Sequence, residues 1–293
     1  MQIENPKYDI HNKYVIIDAN CLLYLHGNNH YYEEAITQHL ADTMSALNSY
    51  KYIGILDNLD SSLNFRKDIS TTGYKKNRSK EDLLDRFPYF YEVRDLLINK
   101  FGFYVASGIE ADDAVGIVAE HLKETNYPEC FKFADYNYVI CSIDKDLKQI
   151  KGYHYDLKKH TLSRVDEDTL IMNEDTGKKT LEASGDAMLF AQVLMGDPTD
   201  SIIGIPKCGQ IKAFKILESC TNKEEYLNAT YKEYVRYYGD KADEMFKENF
   251  NLVYIARHNN HINPIEVKYF NNDKNKDLSV FIRTTDYTLY DEA

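Results

Sequence analysis

Four short apolar runs in this chain each lead into carboxylates. Tyr14-Val15-Ile16-Ile17 ends at Asp18, and Tyr52-Ile53-Gly54-Ile55-Leu56 ends at Asp57. Phe103-Tyr104-Val105 leads to Glu110-Ala111-Asp112-Asp113, and Tyr138-Val139-Ile140-Cys141 leads to Asp144-Lys145-Asp146. A single acid after a strand is often only the N-cap of the next helix, and Asp112 and Asp113 would also suit a helix dipole. Four coincident strand ends point to a shared site instead. Carboxylates gathered at that density repel one another unless cations neutralise them. An all-oxygen donor set favours a hard ion, Mg²⁺ or Mn²⁺, over zinc.

A second acidic motif, Gly196-Asp197-Pro198-Thr199-Asp200, precedes the glycine turn Gly204-Ile205-Pro206-Lys207-Cys208-Gly209. Glycines let backbone amides approach a phosphate, and Lys207, Lys212 and Lys215 follow nearby. An ordinary helical hairpin with a solvated lysine face is the alternative. Between Arg66 and Lys80 lie six basic residues (Arg66, Lys67, Lys75, Lys76, Arg78, Lys80) and one acid, Asp68, a local charge of +5. That segment reads as a nucleic-acid contact or as an exposed basic helix. The net charge of −12 argues against a polyanionic partner only until the nine clustered acids are set aside, which leaves −3.

These residues need a frame. The four apolar runs read as buried strands, and Ala114, Val115, Val118 and Leu122 follow helical spacing after the third. Alternating strands and helices predict an α/β fold with a mostly parallel sheet covered by helices on both faces. Ligand sites in such sheets lie beyond the carboxyl ends of the strands, where the acids are. Tyr153 to Val165 predicts a hairpin with Lys158-Lys159-His160 near its turn, and Asn173 to Gly185 predicts a polar loop. A helical region is expected over 186–259. The tail, 260–293, holds Asn271 to Asp277 as a solvated loop.

Hydrophobic residues make up 43%, enough for a proper core, and no apolar run reaches the ~18 residues of a membrane span. Met1 to Asn12 is polar and contains Pro6, unlike a secretory signal. The five cysteines are odd in number and contain no C-x-x-C pair, which predicts a reduced, cytoplasmic protein without structural zinc.

Taken in order, the motifs resemble the 5′-nuclease family of flap endonucleases, polymerase-associated 5′-nuclease domains and phage 5′-exonucleases. The likeness is nearest to the T-even phage ribonuclease H branch, so a phage-encoded chain in a bacterial host is within its scope. It rests on Ile17-Asp18 with Tyr24, Asp57-Asn58, Tyr74-Lys75-Lys76-Asn77-Arg78, Glu110 to Asp113, Ser142 to Asp146, and Gly196 to Asp200 with its turn. Phe246-Lys247-Glu248-Asn249 extends it into the last helical segment. The resemblance implies a PIN-like core over 1–185 with a helical arch at about 64–90, then a helix–two-turn–helix region.

It further implies a two-metal phosphodiesterase, in which ions about 4 Å apart clamp the attacking and leaving oxygens of an in-line displacement. Asp18, Asp57, Glu110 and Asp112 would hold one ion, and Asp144, Asp146 and Asp197 the other, with Asp113 and Asp200 auxiliary. Lys75 and Arg78 would serve the scissile phosphate and steer the 5′ strand. Tyr24 would stack on a terminal base. Arg66, Lys76, Gly204, Lys207, Gly209 and Lys212 would contact DNA, with K⁺ held at the glycine turn. The implied substrates are flapped, branched or 5′-ended DNA and RNA–DNA hybrid, including RNA primers, with replication proteins as partners. Lys207 departs from the family pattern, which often has glycine there, and Ile211 stands where a lysine often follows. A PIN-type ribonuclease and an inactive DNA-junction binder are the alternatives. The first normally lacks the arch and glycine turn, and the second would have lost metal carboxylates.

Overall fold

Three of the four apolar runs form the buried centre of the molecule. The third, expected as a buried strand, gives only a two-residue strand at Tyr104–Val105 with Val105 exposed, because it lies beyond the central strands. The computed structural model describes residues 13–60, 64–125 and 136–257, with the backbone of 263–266, 268–269 and 279–282. The elements in order are β1 (Tyr14–Asp18), α1 (Asn20–His26), α2 (Tyr32–Ala46), β2 (Lys51–Leu56), α3 (Phe65–Ile69), α4 (Lys80–Arg86), α5 (Phe90–Asn99), β3 (Tyr104–Val105) and α6 (Ala111–Thr125). Then come β4 (Tyr138–Ser142), β5 (Gly152–Asp156), β6 (Thr161–Val165), β7 (Thr169–Asp175), β8 (Lys178–Ser184), α7 (Gly185–Met195), α8 (Gln210–Leu217), α9 (Lys223–Tyr238) and α10 (Ala242–Val253). Three short strands follow: β9 (Asn263–Glu266), β10 (Lys268–Tyr269) and β11 (Ser279–Ile282). Asn271 to Asp277, expected as a loop, lie outside the described residues, as does Cys130.

The main sheet runs β10-β2-β1-β4-β5-β6, with β3 also paired to β2. Pairings among β1 to β5 are parallel, and β6 and β10 are antiparallel edges. Every residue of β1, β2 and β4 is buried, because helices cover both faces. Period-two alternation still sorts the side chains. Val15 and Ile17 enter the core shared with α1, α2 and α5, whereas Tyr14 and Ile16 enter the core shared with α6. A third core surrounds α7, which is buried on nearly all sides among α8, α9 and α10.

The polar stretch expected as a loop over Asn173 to Gly185 is instead most of a hairpin, β7 paired with β8 in continuous antiparallel register. Thr176 and Gly177 both have positive φ, 49° and 80°, the requirement of a tight two-residue hairpin turn. Leu170 and Leu181 pack on the third core, while the other face is mostly polar and exposed, with Ile171 also open to solvent. One half-buried face was too weak a hydrophobic signal to distinguish strand from loop. The basic segment expected as a helical arch consists of the short helices α3 and α4 joined by a loop. No described helix is long and apolar enough to cross a membrane.

His154 of β5 is buried and its Nε2 lies 2.8 Å from the Ile150 carbonyl. Burial lowers its pKa from the ordinary 6.5 to about 4. The folded chain thus holds this imidazole neutral, and the unfolded chain protonates it first. Its contribution to stability is complete above pH 6.5 and is lost as pH falls toward 4. Wild-type protein should accordingly lose more urea stability than His154→Gln between about pH 7 and pH 5. Parallel titrations of the two proteins would exclude this account.

Candidate active site

Parallel pairing places the acids together. Asp18 of β1 is level with Ile55 of β2, and Ile17 is level with Cys141 of β4. Asp18, Asp57 and the segment after Ser142 therefore leave the sheet at one edge. The start of α6 is drawn to that edge by Asp57, whose Oδ1 accepts the Ala111 N–H at 2.7 Å. The edge opens into a cavity of about 900 Å³ whose lining includes Asp18, Asp57, Glu110, Asp112, Asp144, Asp146, Asp197 and Asp200. Eight of the nine acids singled out in the sequence thus line one cavity.

Their electrostatics divide them into two groups. Asp18 is buried, and despite bonds from Cys21 and Ser142 its pKa rises from 3.8 to about 6, with Asp57 and Asp144 adding to the burial effect. Burial and then Asp144 raise Asp146 to about 7. Asp57 is raised by burial and Glu110, and Asp112 is raised far more by burial, Asp18 and Asp144. No salt bridge among the described residues reaches Asp18, Asp57, Asp112, Asp144, Asp146 or Asp197. The buried Oδ1 of Asp146 has no hydrogen-bond partner.

Glu110 and Asp200 instead pair with cations, although burial still leaves the Asp200 pKa raised. Burial opposes the Glu110 charge, but Lys75 and Arg66 hold its pKa down from 4.5 to about 2. The Lys75 ammonium donates to Glu110 Oε1, and the Tyr74 hydroxyl donates to Oε2 at 2.8 Å. The Arg78 guanidinium donates to Asp200 Oδ1, and Lys75 Nζ is 3.9 Å from Asp200 Oδ2. One side of the cavity is therefore neutralised by the chain's own cations. The other side is an oxygen-only array with an orphaned buried carboxylate oxygen, which fits a hard divalent ion. Among the described residues no three acidic, histidine or cysteine side chains close into a ligand shell by themselves.

Several expected contacts take other roles. Arg66, expected on DNA, is 2% exposed. Its guanidinium makes a two-pronged pair with Asp113 and also donates to the carbonyls of Leu252 (3.1 Å) and Tyr254 (2.8 Å). Asp113, expected as an auxiliary metal ligand, is wholly buried and also accepts the Ala256 N–H at 2.9 Å and the Glu110 N–H at 3.2 Å. Both groups are spent on internal bonds; Asp113 is absent from the cavity lining, whereas Arg66 reaches it beside Glu110, 3.5 Å away. Lys76 is exposed, but its ammonium caps the Thr72 carbonyl at 2.6 Å, away from the cavity lining.

Gly204 is likewise internal. A Cβ there would sit 2.3 Å from the Gly196 nitrogen, its N–H faces Asn249 Oδ1 at 3.3 Å, and its carbonyl accepts the Tyr238 hydroxyl at 2.6 Å. Its glycine identity comes from close backbone packing rather than phosphate approach. Lys207 is exposed at φ 61°, which explains why glycine would suit its position. Gly209 is exposed at the N-terminus of α8, with open space where a Cβ would be. Lys207, Gly209 and half-buried Lys212 stand apart from the cavity lining. Tyr24 is 43% exposed in that lining, edge-on to Phe87 at 5.4 Å.

Three site residues escaped the sequence reading. Ser142 and Cys21 donate to Asp18 Oδ2 at 2.8 and 3.0 Å, and Tyr74 bonds Glu110. Ser142 and Tyr74 lie within motifs already noted. Cys21, three residues after Asp18, carried no signal beyond that spacing.

A parallel α/β sheet with an acidic cavity at its carboxyl edge defines the class. The profile of the family described as 5′-3′ exonuclease, N-terminal resolvase-like domain, matches residues 13–180, more than half of the chain. The chain belongs to this family, and it is a nuclease hydrolase. It is 28% identical over 228 residues to a 5′-3′ exonuclease of Buchnera aphidicola subsp. Baizongia pistaciae, spanning 73% of this chain and 69% of that one. It is 30% identical over 162 residues to a 5′-3′ exonuclease of Buchnera aphidicola subsp. Acyrthosiphon pisum, spanning 53% and 49%. A bacteriophage T5 flap endonuclease variant, solved as a pseudo-enzyme–product complex with DNA and metal ions, superposes with TM-score 0.58 at 15% identity over 82% of this chain and 88% of that one. The T5 5′-exonuclease with bound zinc gives 0.58 at 16% identity, with the same coverage of each chain. These two establish the shared fold.

Removing one partner of a buried ion pair typically costs about 3–5 kcal/mol. Arg66→Met should reduce the unfolding free energy on that scale, read by urea denaturation. A variant of wild-type stability with weakened DNA affinity would return Arg66 to the surface role first expected.

Proposed function

We propose that the chain hydrolyses phosphodiester bonds at 5′ ends and 5′ flaps of DNA, and removes RNA primers from RNA–DNA hybrid during replication inside the cell. The observation that carries this reading is the single cavity with unpaired acids on one wall and Lys75 and Arg78 on the other. The curated relatives named 5′-3′ exonuclease and the phage structure containing DNA and metal ions support it.

Asp18, Asp57, Asp112, Asp144, Asp146 and Asp197 would hold two Mg²⁺ or Mn²⁺ ions, with Glu110 and Asp200 at the rim. When bound, the ions supply Lewis-acid activation and neutralise charge on the phosphate. Ser142 and Cys21 orient Asp18 by donating to it. Lys75 and Arg78 place positive charge where the scissile phosphate enters, and Lys75 is tethered by its own N–H to the Asp200 carbonyl at 2.9 Å. Tyr24 offers an exposed ring for the 5′ base. Lys207, Gly209 and Lys212 would grip duplex backbone away from the cavity, with K⁺ at that turn. Lys76, if it leaves Thr72, would join them as a backbone contact.

Asp144→Asn should abolish cleavage of end-labelled flap DNA while affinity for that DNA survives better than cleavage. Mg²⁺ should raise the melting temperature more at about pH 8 than at about pH 5. Burial and mutual repulsion make acids such as Asp146, raised to about 7, retain protons at the lower pH, and protons compete with the ion. Full-rate cutting in excess chelator contradicts the metal assignment. Lys75→Ala should slow single-turnover cleavage by roughly 100-fold or more while duplex binding changes little. An unchanged rate with weaker binding would reduce Lys75 to electrostatic docking.

A further inference from the structure

The similarity at Phe246-Lys247-Glu248-Asn249 has no part in the reaction described so far, yet these residues sit at a junction. Glu248 of α10 is 8% exposed. A buried carboxylate without a cation is costly, and no salt bridge among the described residues reaches this one. Among the described residues its hydrogen-bond partner is Thr71, at the root of the loop that carries Lys75. The Thr71 N–H donates to Oε1 at 2.7 Å, and the Thr71 hydroxyl lies 2.9 Å from both carboxylate oxygens.

The neighbouring residue faces the other way. Asn249 is also buried, and its Oδ1 receives the Gly204 N–H of the glycine turn. Two successive side chains of one helix thus hold two separate segments. The rest of the Thr71 loop is held from the other side, by the Asp197–Asp200 motif, Ser201 and Glu110. Thr72 and Lys75 bond the carbonyls of Ser201 and Asp200, and Tyr74 packs against Ile202 and Leu252 of the same α10.

We propose that Glu248 is a positioning residue. Through Thr71 it sets the height of Lys75 and Arg78 over the acid cavity, and α10 thereby links the glycine turn to those cations. The proposal rests on the nuclease reading for its kinetic consequence, but the tie itself is independent of it. A misplacement of about 1 Å can cost ~100-fold in rate, so small losses of register matter. The bonds are acceptor bonds, which a glutamine oxygen can also provide, so charge is not essential.

The test compares Glu248→Ala with Glu248→Gln in the full-length chain, reading amide hydrogen exchange over 70–78 and single-turnover cleavage of a 5′-flap duplex with Mg²⁺. Glu248→Ala should speed exchange in that segment at least about 10-fold and slow cleavage by roughly 10- to 100-fold, with affinity for plain duplex within about twofold. Glu248→Gln should restore most of both. Thr71→Val, which keeps the N–H and removes the hydroxyl, should fall between them. Unchanged exchange over 70–78 in Glu248→Ala overturns the tie. Faster exchange throughout the chain, with duplex affinity and cleavage lost together, overturns a positioning role in favour of general stability. A wild-type chain that cleaves no flapped or 5′-ended substrate overturns the nuclease reading, whereas the exchange data still decide the tie.

Discussion

The mutual repulsion of carboxylates at one edge of a parallel sheet governs this structure. Parallel strands carry their carboxyl ends to the same place, so each acid after a strand adds to the same cavity. The chain answers that repulsion unevenly. Lys75 and Arg66 keep Glu110 charged far below its ordinary range, whereas burial, and then neighbouring acids with Asp144 common to all three, raise Asp18, Asp112 and Asp146. The uneven answer gives the cavity a neutralised rim and an uncompensated floor. A polyanion without cations would be repelled by that floor, so divalent ions and substrate are electrostatically interdependent.

The buried pair of Arg66 and Asp113 joins the parts that meet at the floor. Arg66 starts the basic segment, Asp113 lies in the first turn of α6 beside Glu110, and Leu252, Tyr254 and Ala256 follow or end α10. Desolvating both ions is expensive, and such a pair adds little net stability over apolar residues of the same volume. Its fixed fork geometry does something else: it sets the register among three segments distant in sequence. The site thus depends on a salt bridge whose bonds are internal to the fold.

The helical region is organised around close backbone contact. Gly196 and Gly204 pack back to back, both at positive φ (67° and 59°), and a side chain at either would meet backbone. This contact brings the Asp197–Asp200 motif up against the cavity, where Asp200 meets Lys75 and Arg78. The glycine pair here serves the acid site indirectly, whereas Lys207 and Gly209, exposed on either side of buried Cys208, are left for a backbone partner in the proposed reading.

Local patterns in the sequence determined a good deal. The four strands and the edge at which acids gather follow from apolar runs and the rule for parallel sheets, and the β5–β6 hairpin follows from its residues. The sequence also placed eight acids of the shared cavity, because each belongs to a motif at a strand end or glycine turn. Tertiary structure alone decided which charges remain available. Arg66 and Asp113 are 47 positions apart, and Thr71 and Glu248 are 177 apart. Nothing in residue type or local spacing reveals such pairs, since a buried arginine and a surface arginine have the same local sequence signal. The β7–β8 hairpin was hidden for a related reason: only one of its faces meets a core, and that core is built by helices later in the chain. Periodicity reports which face of an element is apolar. It does not report which distant segment will arrive to cover it or to neutralise its charge.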